Sequence, residues 1–406
     1  KANLLGYSNY ASYELENESA KNPDEAYKLL SKLWVMALQR AKEELEQMQN
    51  IADREGFGQR IQAHDWWYFA EKLRKEQYDL TEEETRPYFS LEATREGAFY
   101  VAKKLFGISF IERKDLPLYA PDMQAFEVRQ EDGSLLGLYY VDYFVRPSKR
   151  SGAWMDEIRT QEGLGSKKVL PIIINVLNLN RPASGESVLL TWEEAETLFH
   201  EFGHALHGLL SDVEYRRLAG VAVAKDFVEF PSQMLEYWLS DKQVLRHFAK
   251  HYKTGESIPD VLIEKIGKAK KFNQGFANVE YLAASFLDLA WHGLTEMHVK
   301  SVTHFEDVLA HKIGLIEEIY PRYRSTYFQH IFPWGYSAGY YSYLWSNVLA
   351  ADTFEYFKAN GGLSRKIGDR YRKMILGQGS SHDPGELYRN FRGQEPDVAA
   401  LISHLF

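Results

Sequence analysis

A mainly helical fold with one small antiparallel β-sheet is predicted by three observations. Apolar residues recur at three- and four-residue spacing over residues 23–55 and again through most of the chain after residue 238. Segments rich in β-branched and aromatic residues cluster in one window, residues 121–190. At 406 residues, 45% hydrophobic and 14% aromatic, the chain can bury a large core. The expected organisation is a helical subdomain over residues 1–120, a small β-sheet region over 121–190 and a helical region over 191–406.

Taken in order, residues 23–55 place Ala26, Leu29, Leu30, Leu33, Trp34, Ala37 and Leu38 on one helical stripe. A second helix opens on Trp66-Trp67-Tyr68-Phe69 and ends in the charged run around Lys72 to Lys75. Glu82-Glu83-Glu84 reads as a solvated helix start, where negative charge suits the helix dipole. A third helix, residues 95–106, stops at Gly107. Residues 125–129 and 135–145 flank the turn signal Glu131-Asp132-Gly133-Ser134 and form a hairpin. Residues 169–179 are nearly continuously apolar and predict an interior strand. Between them, residues 147–155 read as a mobile surface loop, with Lys149 and Arg150 solvated. Later helices are expected over 259–269, 276–298, 305–313 and 338–357, separated by Gly or Pro.

Charge and composition exclude several function classes. A net charge of -9 carries no electrostatic footprint for nucleic acid. No apolar run approaches the ~18 residues of a membrane span. The absence of cysteine excludes disulfides and thiolate metal sites and leaves the compartment open; a cytoplasmic setting is expected, with the periplasm as the other option. The chain opens on Lys1 with no charged-then-apolar leader, so the start of the gene product is expected to precede it.

The chemistry-bearing stretch is residues 197–207, one helix carrying His200-Glu201-Phe202-Gly203-His204. A spacing of four sets both imidazoles on one face, about 5–6 Å apart at Cβ. Zinc binds imidazole nitrogen at about 2.0–2.1 Å, and two rings with one carboxylate leave a position open for water. Glu201, one step round the helix, can take that water's proton. The pattern points to hydrolysis by water activated on one metal ion. The competing reading is two histidines and a glutamate on the polar side of an ordinary helix. Leu210 stands where a longer three-histidine motif would need its last His, so His207 reads as packing or as an outer partner of the site.

A carboxylate ligand is sought in the next acidic helix, residues 226–236. Asp226, Glu229, Gln233 and Glu236 form one polar stripe opposite Val228, Phe230 and Leu235. An Asp226–Glu229 capping box is the alternative, and Pro231 argues against it by deleting a hydrogen bond the helix would need. Glu229 is preferred as ligand, with Asp226 orienting an imidazole from behind.

Leu198 to His207 together with Asp226-Phe227-Val228-Glu229-Phe230-Pro231-Ser232-Gln233 resembles the thimet oligopeptidase family of zinc peptidases. Residues 321–332, running on through 335–345, are similar to its bacterial peptidyl-dipeptidase branch, and much of the second half to oligopeptidase A. The resemblance implies a zincin-like metallopeptidase catalytic domain, with one Zn2+ held by His200, His204 and Glu229 and Glu201 as base. It implies short peptides as substrates and release of dipeptides from free C-termini. An oligopeptidase-type endopeptidase and a non-catalytic peptide-binding fragment are the alternatives.

The turn 333–339 places His330 near Tyr336, Tyr340, Tyr341 and Tyr343 in sequence. On spacing alone an aromatic helix face packed in the core is the favoured reading. The resemblance instead matches His330, Tyr336 and Tyr343 to substrate-stabilising residues and leaves Tyr340 and Tyr341 to packing. Arg322, Arg324 and Tyr327 are the candidates for binding a substrate's terminal carboxylate. The remaining histidines, His247, His251, His292, His298, His304 and His311, read as surface or capping groups. The chain departs from the resemblance at Gly220-Val221, where similar chains have Gly-Thr, and at Pro333-Trp334, which replaces a more glycine-rich run. The small sheet offers an edge on which a peptide could add as a strand.

Overall fold

The computed structural model describes every residue except Asp79, Ser166, Lys167, Ser184, Met297 and Trp334. The first half of the chain builds helices α1 (Tyr10–Leu15), α2 (Pro23–Arg54), α3 (Trp66–Tyr78), α4 (Glu82–Thr85) and α5 (Leu91–Phe106). Asn22 caps α2 by accepting the Glu25 N–H, and Pro23 sits in its first turn, where a missing donor costs nothing. The acidic patch at Glu82 becomes α4, opened by a capping box between Thr81 and Glu84. Ser90 caps α5 through the Ala93 N–H, so this helix starts ahead of the apolar pattern that announced it, and Gly107 closes it in the left-handed region.

Strands β1 (Ser109–Glu112), β2 (Gln124–Arg129), β3 (Leu135–Phe144), β4 (Trp154–Arg159) and β5 (Ile172–Leu179) form one sheet in the order β1-β2-β3-β5-β4. The β2–β3 hairpin is as predicted, with Gly133 at φ +82° in its turn. The expected antiparallel sheet is corrected to a mixed one, because β3 and β5 run parallel while the other neighbours are antiparallel. The physical reason lies in burial. The apolar β5 needs partners on both edges, so it takes the slot beside β3 and displaces the half-exposed β4 to the rim. Two reversals of the chain then leave β3 and β5 pointing the same way.

The expected loop at 147–155 is also corrected. Its last residues enter β4, and Lys149 is not solvated: its side chain is 3% exposed, donates to the Phe144 carbonyl at 2.8 Å and pairs with Asp142 at 3.2 Å. Arg150 remains exposed and stacks over Trp154 at 4.4 Å.

The second half adds α6 (Trp192–Leu209), α7 (Lys225–Val228), α8 (Phe230–Leu239), α9 (Lys242–Phe248), α10 (Asp260–Ala269), α11 (Gln274–His292), α12 (Val302–Ile313), α13 (Ser342–Ala359), α14 (Arg365–Tyr371), α15 (Pro384–Arg392) and α16 (Val398–Leu405). One core packs the sheet, α5, α6 and α8 around Phe99, Ile173, Phe202 and Trp238. A second packs α2, α3, α11 and the start of α13 around Leu33, Phe69, Val279 and Tyr341. Tyr237 and Trp345 touch both. Among the described residues no helix is long and apolar enough to cross a membrane.

Candidate metal centre

α6 starts at a capping box in which Thr191 accepts the Glu194 N–H while the Glu194 carboxylate accepts the Thr191 N–H. Its apolar stripe, Phe199, Phe202 and Leu206, is buried in the first core, which leaves His200 and His204 on the face toward a cleft of about 710 Å³. Their ring centroids lie 4.8 Å apart.

The single helix expected over 226–236 is in fact two, joined at Glu229. Pro231 falls in the first turn of α8 and so breaks the ladder without leaving a donor unpaired. Gly203 explains how α8 comes close enough. A Cβ at that position would stand 2.5 Å from the Ser232 Cα and 2.8 Å from the Pro231 carbonyl oxygen, so a larger residue would push the two helices apart.

That approach brings Glu229 between the rings. Its Oε2 lies 3.2 Å from His200 Nε2 and 3.1 Å from His204 Nε2, and the three ligand atoms all lie within 4.8 Å of one another. Ser232 Oγ donates to the Glu229 carbonyl at 2.8 Å, and Tyr336 Oη donates to Glu229 Oε1 at 3.2 Å. Burial acting alone would raise Glu229, but His204 foremost, and His200, outweigh it and hold the carboxyl well below its usual range. Glu201 lines the same cleft, is raised by burial, and keeps an Oε2 with no hydrogen-bond partner among the described residues. Two imidazole nitrogens and one carboxylate oxygen facing one point, with a buried unpaired carboxylate beside them, fit a zinc site with a water position.

Asp226 does not orient an imidazole. Its carboxylate accepts the Ser19 and Ala20 N–H groups and the Tyr341 hydroxyl, at 2.8, 2.9 and 2.8 Å, and so ties the start of the chain to α7. The orienting group is Glu236, whose Oε1 lies 2.5 Å from His200 Nδ1. The helix break turns Glu236 toward α6 and Asp226 away from it. Sequence reasoning placed Glu236 on the polar stripe and gave it no role; its position seven residues past Glu229 was the available signal. Glu236→Ala is expected to weaken zinc binding by about 10- to 100-fold with the fold intact, measured by competition with a chelating dye. Unchanged affinity would remove Glu236 from the site.

His207 is fully buried, with both ring nitrogens unbonded among the described residues, and burial pushes it down to about 3; it is a packing residue. His330, Tyr336 and Tyr343 line the cleft with the histidine pair. The Tyr336 and Tyr343 rings stack at 5.3 Å, and burial, then the nearby Arg322, lower His330. Tyr340 and Tyr341 are buried. Trp334 of the same turn lies outside the described residues. Arg324 is engaged by the buried Glu306 at 2.5 Å, Tyr327 is exposed on the cleft, and Arg322 borders an adjoining chamber of about 390 Å³ that shares Tyr323, His330 and Tyr343 with the cleft. His292, expected at the surface, is instead held inside by Asp288 at 2.7 Å.

The chain is 43% identical to Dipeptidyl carboxypeptidase of Escherichia coli (strain K12), over 100% of this chain and 60% of that protein. It is 36% identical to Oligopeptidase A of the same organism, over 99% of this chain and 60% of that protein. The chain thus spans about 60% of the length of these curated relatives. A solved M32 carboxypeptidase from Deinococcus radiodurans R1 shares the fold at a TM-score of 0.55 and 12% identity, over 99% of this chain and 69% of that one. The family model for peptidase family M3 matches residues 1–405, and the chain belongs to that family.

Proposed function

We propose that this protein is a zinc peptidase that hydrolyses short peptides and releases dipeptides from their free C-termini. The observation that carries the reading is the meeting of His200, His204 and Glu229 in one cleft beside Glu201, whose Oε2 has no hydrogen-bond partner among the described residues. His200, His204 and Glu229 would hold a zinc ion, which when bound would supply Lewis-acid activation of the attacking water. Glu201 takes the water's proton and hands it to the departing amine. Tyr336 and Tyr343 through their hydroxyls, and His330 through a ring N–H, donate hydrogen bonds to the oxygen on which negative charge develops. β4 is the rim strand of the sheet and begins on the cleft wall, so its outer edge suits an extended substrate added as a strand.

Dipeptide release requires a group that senses the terminal carboxylate, and the name of the 43% identical relative supports that mode. Of the three candidates Arg322 fits best, because Arg324 is already paired with Glu306 and Tyr327 carries no charge. Arg322 makes no ion pair among the described residues. An oligopeptidase-type endopeptidase is the second reading, favoured by the likeness to Oligopeptidase A; a non-catalytic peptide-binding fragment is the third.

Substrate amidation separates them. A hexapeptide with a free C-terminus should yield dipeptides by mass spectrometry, and its amide should lose about tenfold or more in kcat/KM, as should the free acid with Arg322→Met, since a charge-assisted hydrogen bond contributes about 1.5–3 kcal/mol. Equal turnover of acid and amide supports the endopeptidase. No turnover of either by the zinc-loaded chain supports the binding fragment.

A further inference from the structure

We propose that Asp288 is a positioning residue that locks the tyrosine turn into its working shape by clamping two backbone amides, with His292 as its brace. Asp288 sits on α11, far in sequence from the turn, and is fully buried. Its Oδ1 accepts the Ala338 N–H and its Oδ2 the Tyr340 N–H, both at 2.8 Å. His292, one helical turn on, places Nδ1 at 2.7 Å from Oδ1, and the Tyr10 ring packs against the imidazole at a tilt, centroids 5.5 Å apart.

The turn needs such a clamp. Ala338 has φ +57°, a left-handed conformation that a residue with a Cβ resists, and it is fully buried, so no water can hold it there. Other amides of the turn are met within it or just before it: Tyr336 N–H donates to the His330 carbonyl at 2.9 Å, and Gly339 N–H to the Tyr336 carbonyl at 2.7 Å. The Tyr340 amide goes to Asp288 Oδ2 and the Ala338 amide to Asp288 Oδ1; His292 Nδ1, 3.2 Å from the Ala338 nitrogen, cannot accept that N–H while it donates to Asp288. Without the carboxylate both would be buried donors with unmet demand, and the turn would relax toward negative φ. Relaxation would swing Tyr336 off Glu229 Oε1, to which its hydroxyl donates at 3.2 Å. The clamp therefore acts on chemistry through Tyr336 and touches no reacting atom.

The inference rests on the proposed role of Tyr336, and its test separates the two. Amide hydrogen exchange on the zinc-loaded protein should show Ala338 and Tyr340 protected, and at least about tenfold faster in Asp288→Asn. In the same variant kcat should fall by about 10- to 100-fold with KM within about threefold and zinc content unchanged. On a Tyr336→Phe background, Asp288→Asn should cost less than about threefold, because the hydroxyl it positions is already gone. Unchanged exchange, or an equal loss of kcat on both backgrounds, overturns the proposal. Full activity of Tyr336→Phe alone would overturn the role of the tyrosine while the exchange result still decides the clamp. Should Asp288→Asn not fold, His292→Phe keeps the ring packed on Tyr10 and removes only the brace. It should show the same pattern at about three- to tenfold in kcat, and wild-type kcat with wild-type exchange would contradict the proposal.

Discussion

Glu201→Gln is expected to lower kcat on a short peptide by about 100- to 10,000-fold, the range over which a positioned proton acceptor contributes. Zinc content should stay at that of the wild type. The amide matches the carboxylate in shape, and Glu201 is not among the three groups that converge, so the substitution leaves the metal cage untouched. What it removes is the basic oxygen that has no hydrogen-bond partner among the described residues. Turnover on a fluorogenic peptide, paired with zinc stoichiometry by atomic absorption, checks both halves. An active Glu201→Gln protein would remove the general base. A variant that lost its zinc would make Glu201 part of the cage.

Removing a ligand should do more. Glu229→Ala is expected to weaken zinc binding by well over the ~100-fold upper range of an orienting partner such as Glu236, and to abolish measurable turnover. Glu229 bridges both rings and also holds Ser232 and Tyr336, so its loss opens the cage and frees a wall of the cleft together. Dialysis of the wild-type protein against a chelator should give the same loss, restored by added zinc. Activity that survives both treatments would rule out a metal reaction at this site.

The helical parts of the fold and the convergence of His200, His204 and Glu229 were legible in the sequence because their signals are local. His200, Glu201 and His204 share a helical turn, and Glu229 sits in a stripe whose Pro231 argues against a capping role. What was not legible depends on contacts between distant segments. β4 is half exposed at the sheet's rim, so it lacks an apolar pattern, and the parallel β3–β5 pair follows from that displacement. Sequence reasoning gives the role of orienting an imidazole to Asp226, because Pro231 marks a break near Glu229 without showing that the break rotates Glu236 inward onto His200. Asp226 was free for another task, the amides of Ser19 and Ala20. Asp288 and His292 carried a four-residue spacing on one helix, but their partners, Ala338 and Tyr340, lie in a different part of the chain. Lys149 looked like a loop cation because, besides Asp142, its acceptors are the Phe144 and Leu177 carbonyls, backbone groups that leave no pattern in the sequence.

An anomalous-scattering map at the zinc edge, from crystals grown with the metal, tests the site most directly. One peak is expected, about 2.0–2.2 Å from His200 Nε2, His204 Nε2 and a Glu229 carboxylate oxygen. A map with no peak between the rings, or with Glu229 turned away from the ion, would contradict the metal centre and the peptidase reading built on it.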